Sequence, residues 1–462
     1  MKLDNQPALS RLLIMSFLIS TLAACDGDER VETKVSKNIF HGPAVGVLKA
    51  GTAIEGVAYS TSSGESGVTD AKGTFKFSYG DRIKFQLGKL TLADVEGSTQ
   101  ITPIELAGDN THKRQNLLTL FLALDTDSDP ENGLTLSQSA VAALDSTLNL
   151  QADPEDFIAS PALSAAREAV GIPGEIRGAD EVNTYFLSRA VDLLGSHVWV
   201  HIDATHTDFF RTATDGSGAY LHGVATADDV CDLNRACGSR VVFTAGLEYG
   251  VATASSVDER GFMFSSKPVL DTNIQGGLSH SRTDSRIRSS GDELIISDRI
   301  IVPREREQAG LFGELFHISK PIELSNESEV AQTAIMEIRY VKMENQPNKI
   351  VGAWAQDQNS IKTPTLLFFA DNRYMLIDPT GSTWQEEQQP DCAKPGVEMA
   401  KYAFDSTSNT LKLNSFVYNT SGCAGLSEHA GKSIGFEIAA NGQSATLSVP
   451  TREAVTLYRI SD

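Results

Sequence analysis

Cysteine is scarce here: five residues in a chain of 462. They are Cys25, Cys231, Cys237, Cys392 and Cys423. No Cys-x-x-Cys occurs, and no histidine sits at ligand spacing from them, which argues against a structural zinc. Positive charge is also in short supply. Lys and Arg number 39 against 60 Asp and Glu, a net charge of −21. Phosphate-backbone recognition needs clustered Lys and Arg, so nucleic acid is excluded as a partner. Lying flat on anionic lipid is disfavoured for the same reason. Long apolar runs are missing after the first 24 residues. No phosphate-binding loop and no dinucleotide fingerprint appears. Ser217 lies between Gly216 and Gly218, but in a hairpin context rather than a strand–turn–helix elbow. With these absences goes the case for most familiar enzyme classes, and the chain reads as non-catalytic.

What is present begins at the N-terminus. Lys2 and Arg11 precede an apolar run from Leu12 to Leu22, then Ala23, Ala24 and Cys25. The run is shorter than the roughly 20 residues a membrane-crossing helix needs. It has the parts of a secretory signal. Leu22-Ala23-Ala24-Cys25 resembles the lipobox of bacterial lipoproteins. That resemblance implies removal of residues 1–24, lipidation of Cys25 (diacylglycerol and palmitate-type acyl chains), and a cell-envelope address on a membrane. Which membrane and leaflet stays open, although Asp26 after the cysteine resembles an inner-membrane retention signal. Residues 25–40 are polar and read as a tether. With Cys25 lipidated, four cysteines remain in an oxidising compartment, and three pairings exist. Cys231–Cys237 and Cys392–Cys423 are favoured because each stays within one expected domain.

At about 150 residues per domain, the length suggests roughly three domains. The reading is mainly β. Residues 41–107 alternate as short strands with turn signals, notably Asp70-Ala71-Lys72-Gly73. Gly67-Val68-Thr69-Asp70-Ala71-x-Gly73-x-Phe75 resembles the carboxypeptidase-regulatory-like family. That implies a transthyretin-like β-sandwich acting as a spacer or interaction module.

Residues 108–195 switch to helical spacing and read as a small helical insert. Helices are expected around Asn116–Leu124, Ser137–Leu148, Ser160–Val170 and Asp180–Leu194, with Asp180 as an N-cap. Between the first two lies Asp125-Thr126-Asp127-Ser128-Asp129-Pro130-Glu131-Asn132-Gly133. Alternating carboxylates resemble the start of an EF-hand loop and suit Ca²⁺. The pattern then departs, with Pro130 where that loop needs glycine and Leu136 where it needs a bidentate glutamate. Two readings follow: a structural Ca²⁺ on Asp125, Asp127, Asp129 and Asn132, or a solvated turn.

The remainder holds an internal repeat, residues 196–346 and 347–462. Gly246–Gly250 matches Gly396–Ala400, Asp271–Ser279 matches Asn419–Ser427, Val198-Trp199 matches Ala353-Trp354, and Tyr220-Leu221 matches Tyr374-Met375. The second copy offers eight candidate strands with hairpin signals at Asp371-Asn372, Ser408-Asn409 and Asn441-Gly442. Eight sequential strands fit an antiparallel barrel, with a β-sandwich as the alternative. Gly352-x-Trp354 on the first strand and Arg459 on the last resemble the lipocalin signature. That implies an arginine packed over a tryptophan to close the barrel floor, with Trp199 and Arg339 in these parts in the first copy. A barrel of eight strands holds either side chains or one small ligand. Interaction or adhesion, through a protein or glycan partner, is therefore set beside carriage of a small apolar ligand. The charged insertion at 280–332 carries Arg282, Arg286, Arg288, Arg299, Arg304 and Arg306. It reads as a hairpin with solvated arms or as a loop for an acidic partner. One further group, His201, Asp203 and His206 with Asp208 following, is the only candidate for a metal site or acid–base chemistry.

Overall fold

The computed structural model describes residues 41–144, 147–172, 174–202, 206–213, 215–226, 245–272, 278, 285–303, 318–321, 331–381, 394–422, 425–450 and 452–460. Residues 1–40, read from sequence as signal and tether, and all five cysteines therefore lie outside the described residues.

The N-terminal part forms two small sheets. The first holds β1 (Pro43–Ala50) and β2 (Thr52–Glu55); the second holds β3 (Ala58–Thr61) and β4 (Ser66–Val68). Strand β5 (Thr74–Ser78) joins β1, and β6 (Arg82–Leu87) with β7 (Leu90–Glu96) extends the second sheet. β8 (Gln100–Ile101) pairs parallel with β1. Alternation places Phe75 and Phe85 inward from different sheets, where their rings meet edge to face at 5.3 Å. The expected turn at Asp70 is present. Asp70 Oδ1 accepts from Lys72 N and Thr74 N, and Gly73 has φ +71°, a conformation open to glycine.

Helices follow. α1 (Pro103–Ala107) opens with a capping box between Thr102 and Glu105. α2 (Thr111–Ala123) is capped by Asn110. After β9 (Leu134–Thr135), which pairs with β2, come α3 (Gln138–Ala143), α4 (Pro154–Ile158), α5 (Pro161–Glu168), α6 (Ala179–Ser188) and α7 (Ala190–Leu193). Asp180 is not the N-cap expected of it. Gly178 holds that position, and Asp180 and Glu181 sit in the first turn, where the helix dipole favours negative charge.

Two antiparallel eight-stranded barrels complete the chain. The first runs β10 (Trp199–Ile202), β11 (His206–Thr212), β12 (Ala219–Thr226), β13 (Gly246–Asp258), β14 (Gly261–Asp271), β15 (Arg286–Ser289) and β16 (Glu293–Pro303). β17 (Ile318–Pro321) pairs with the early part of β18 (Ala331–Lys342), whose end returns to β10 and closes the ring. The second is β19 (Gly352–Ala355), β20 (Thr365–Phe368), β21 (Arg373–Asp378), β22 (Gly396–Asp405), β23 (Thr410–Asn419), β24 (Ile434–Ile438), β25 (Ser444–Ser448) and β26 (Val455–Arg459). Asn372, Asn409 and Gly442 all take positive φ at its hairpins.

The barrels lie back to back. Alternate residues of β10–β13 and β19–β22 enter one shared core, including Val200, Phe209, Leu221, Leu367, Met375 and Ile377. The other residues of these strands face the two barrel interiors. Both faces are thus buried, so β19 and β20 have no exposed residue. A Cβ on Gly223 would lie 2.9 Å from Ile377 Cγ1, which shows how closely the backbones approach. Arg211 donates across the seam to Gln358 O and Ser360 O, and Arg373 donates to Thr207 Oγ1 at 3.1 Å. At the opposite side, the N-terminal part docks on the first barrel. Gln100 Nε2 donates to Leu193 O, Thr99 Oγ1 to Asp292 Oδ1, and Phe186 of α6 packs on Phe262 at 5.1 Å.

Candidate functional site

The interiors are best compared along one cross-strand ladder. In the first barrel it runs Trp199, Phe210, His222, Glu248; in the second it runs Trp354, Leu366, Leu376, Glu398. Closure places Lys342 opposite Trp199 and Arg459 opposite Trp354.

Some interior chemistry is common to both copies. Tyr220 donates its hydroxyl to Glu248, and Tyr374 donates to Glu398 at 3.4 Å. Glu398 is fully buried and also accepts from Leu426 N and Ser427 N. A Cβ on Gly425 would fall 2.2 Å from its carboxyl carbon, so this loop can wrap the acid only with glycine there. Burial raises the Glu398 carboxyl above its ordinary range, and burial with the nearby glutamate pushes the Tyr374 phenol well up. A threonine clip also repeats. Leu247 N donates to Thr272 Oγ1 at 2.9 Å, and Val397 N donates to Thr420 Oγ1 at 2.8 Å. These bonds explain why the Gly-x-Glu and x-Thr segments recur in both copies.

The interior of the second barrel is rich in large aromatic side chains. Phe368, Tyr402, Trp354 and Phe436 meet at ring separations of 5.2 to 5.5 Å. At its floor the Arg459 guanidinium lies 4.0 Å from the centre of the Trp354 ring. Gly352 makes room for it, because a Cβ there would be 2.2 Å from Arg459 Nη1.

The first barrel differs at this floor, and the role expected of Arg339 is corrected. Its guanidinium binds Glu293 at 2.6 Å and Glu337 at 2.7 Å instead of stacking on Trp199. The reason is register: Arg339 pairs with Ile295, three residues short of the ladder position held by Lys342. His197 stands where the second copy has Gly352, and its ring meets Trp199 edge-on at 5.2 Å. The glycine and the arginine are replaced together.

Above the floor the first barrel carries polar groups. Asp208 and His222 are buried, and His222 Nε2 lies 3.4 Å from Asp208 Oδ1. Tyr340 donates to Asp208 Oδ2 at 3.2 Å. Burial and the Asp208 charge hold the Tyr340 phenol protonated far above its usual range. His222 Nδ1 is buried with no hydrogen-bond partner. By the ladder, the second barrel has Pro364, Leu376 and Leu457 at these three places. The arrangement is an imidazole oriented by a carboxylate with one ring nitrogen uncommitted. Sequence reading placed Asp208 beside the His201 group but missed His222 and Tyr340, although the repeat itself held a signal: His222 aligns with Leu376.

Of the histidine group expected from sequence, His201 pairs with Asp208 in the ladder. Its ring is 5.9 Å from that of Tyr340, and its Nδ1 bonds Arg339 O at 2.8 Å. Asp203 lies outside the described residues, and His206 opens β11. Among the described residues no three His, Cys, Asp or Glu side chains converge as a metal site.

The acidic loop after α2 is ordered by its own side chains. Asp125 Oδ1 accepts from Thr135 N, Asp127 from Asp129 N and Asn132 Nδ2, and Asp129 from Glu131 N. Burial and the neighbouring carboxylates raise Asp125 to about 6. In the charged insertion, Arg286 pairs with Asp258 at 2.8 Å and Arg288 lies 3.9 Å from Glu105. Arg299 is on β16, while Arg282, Arg304 and Arg306 lie outside the described residues. Compared with known families, curated proteins and solved structures, the chain matches none.

Proposed function

We propose that this chain is an envelope lipoprotein, moored through Cys25, whose barrels form a non-catalytic interaction module. The observation that carries the reading is the aromatic cluster inside the second barrel, which is joined through an apolar seam to the first. Large aromatic side chains inside the barrel take up space that a carried ligand would need. Recognition then falls to the outer surfaces and loops, held rigidly by three docked parts. The barrels are lipocalin-like repeats, a reading supported by Arg459 over Trp354. The Asp70–Gly73 turn and the paired sheets support a carboxypeptidase-regulatory-like module at the N-terminal side. Disulfides Cys231–Cys237 and Cys392–Cys423 pin loops in this reading.

A second reading is favoured by one observation, the Asp208–His222–Tyr340 cluster. It makes the first barrel the binder of a small ligand that donates a hydrogen bond to His222 Nδ1. Native mass spectrometry of the protein isolated from its own envelope distinguishes the two. The expected mass is the lipidated chain starting at Cys25, with no further adduct. A stoichiometric small molecule, lost on His222→Leu, would replace the first reading by the second. An unmodified chain retaining residues 1–24 would overturn the lipoprotein assignment.

A further inference from the structure

The loop between α2 and β9 contains an arrangement its own hydrogen bonds do not settle. Asp125 is 1 % exposed, and its Oδ2 is buried with no hydrogen-bond partner. Asp127 and Asp129 follow in the same loop, each accepting a backbone N–H from within it, and add negative charge beside that oxygen. A buried, unpartnered carboxylate oxygen beside further carboxylates calls for a positive charge to offset it. Arginines are nearby but engaged elsewhere on the loop: Arg177 donates to Ser128 O at 3.4 Å, and Arg189 pairs with Glu131. The loop is also held from outside. Pro130 O accepts from Thr52 Oγ1 at 2.9 Å and from Tyr185 at 3.3 Å.

We propose that this loop binds one Ca²⁺, with Asp125 Oδ2 and Asp127 as its carboxylate ligands. Hard oxygen donors and a flexible, partly solvated shell suit calcium, which takes six to eight oxygens. Backbone carbonyls of the loop and water supply the remainder. With two carboxylates and no bidentate glutamate, the affinity falls in the weak range of extracellular modules, a Kd on the order of 10⁻⁴–10⁻³ M. Such a site is filled outside the cytosol and empty inside it, so it would reinforce the exported fold after secretion. The ion would tie the end of α2 to β9, which pairs with β2, and so join the helices to the first sheet.

The test is a calcium titration of the full chain in detergent, read by thermal melting and isothermal calorimetry. Added CaCl₂, up to about 10 mM, is expected to raise the melting temperature by several degrees, reversibly with EGTA. Asp127→Asn, at an exposed position, should abolish both the shift and the heat, each read against that variant's own calcium-free melt. Glu453→Gln removes one exposed charge elsewhere and should keep the full response. An absent shift in the parent overturns the proposal. An equal shift in Asp127→Asn also overturns it, because calcium would then only be screening an acidic protein.

Discussion

Replacing Arg459 by methionine probes what closes the second barrel. Arg459 is 3 % exposed. Its Nε donates to Gly442 O at 2.8 Å, its Nη1 to Val351 O at 2.8 Å and its Nη2 to Lys349 O at 2.7 Å. Methionine keeps most of the stem against Trp354 but leaves three carbonyls without these donors. Each costs about 1–3 kcal/mol if unsatisfied, with the lower figure apt where water reaches a barrel end. Loss of the cation over the ring adds about 0.5–2 kcal/mol. The expected destabilisation is therefore about 4 kcal/mol. Arg459→Lys keeps the charge but cannot reach all three carbonyls, and should lose about half as much. Urea unfolding of the full chain, followed by tryptophan fluorescence, measures both. A double-mutant cycle with Trp354→Phe isolates the ring contact, with a coupling of about 0.5–2 kcal/mol. If Arg459→Met costs less than about 1 kcal/mol with unchanged fluorescence, the aromatic interior closes the barrel unaided and the reasoning fails.

Three further outcomes are expected. Gly425→Ala should drive a Cβ into the Glu398 carboxylate and strip it from Leu426 and Ser427, costing about 3 kcal/mol or more; a wild-type melt would disprove the wrapping argument. Arg211→Ala should weaken the seam by about 2–4 kcal/mol, since Gln358 O and Ser360 O lose their donors; limited proteolysis should then cleave between the barrels sooner. Asp81 accepts from Ser62, Ser63 and Ser78, which hold its carboxyl down at about 2. A depressed carboxyl stabilises the fold above its unfolded value near 3.9 and loses that contribution as pH falls toward 2. The melting difference between the parent and Asp81→Asn should accordingly shrink over that interval; a constant difference would refute the linkage.

The second barrel was the most legible part, because its hairpins carry Asn372, Asn409 and Gly442 at the positions that need positive φ. Its seam was less so. Thr365–Phe368 shows no polar alternation, since both faces of that strand are buried, and a short apolar run gives no clue to what lies outside it. Arg339 was misplaced because a signature residue was matched to the nearest arginine in the last strand. Ladder register, not composition, decides which side chain meets Trp199. Asp180 illustrates a smaller error of the same kind: a good capping residue two positions too late, with Gly178 already serving. Asp208 and His222 lie on consecutive strands, but Tyr340 comes from the last strand and reaches them only through barrel closure.

The two barrels serve as controls for one another. They share the ladder, the buried glutamate with its tyrosine, and the threonine clip, so these features belong to the fold. The Asp208–His222–Tyr340 cluster does not, because the sister barrel closes with Leu376 and Leu457 in the corresponding ladder places. Burying a carboxylate, an imidazole and a phenol is costly unless every polar atom is satisfied, and well-packed leucines are usually no worse for stability. Here one nitrogen of His222 is left over. The same comparison removes any stability argument for the cluster that rests on the barrel architecture. What remains is a property of the first barrel alone, set at the level of His201 and above the floor where His197 meets Trp199. Differences of this kind between duplicated units are where function separates from scaffold.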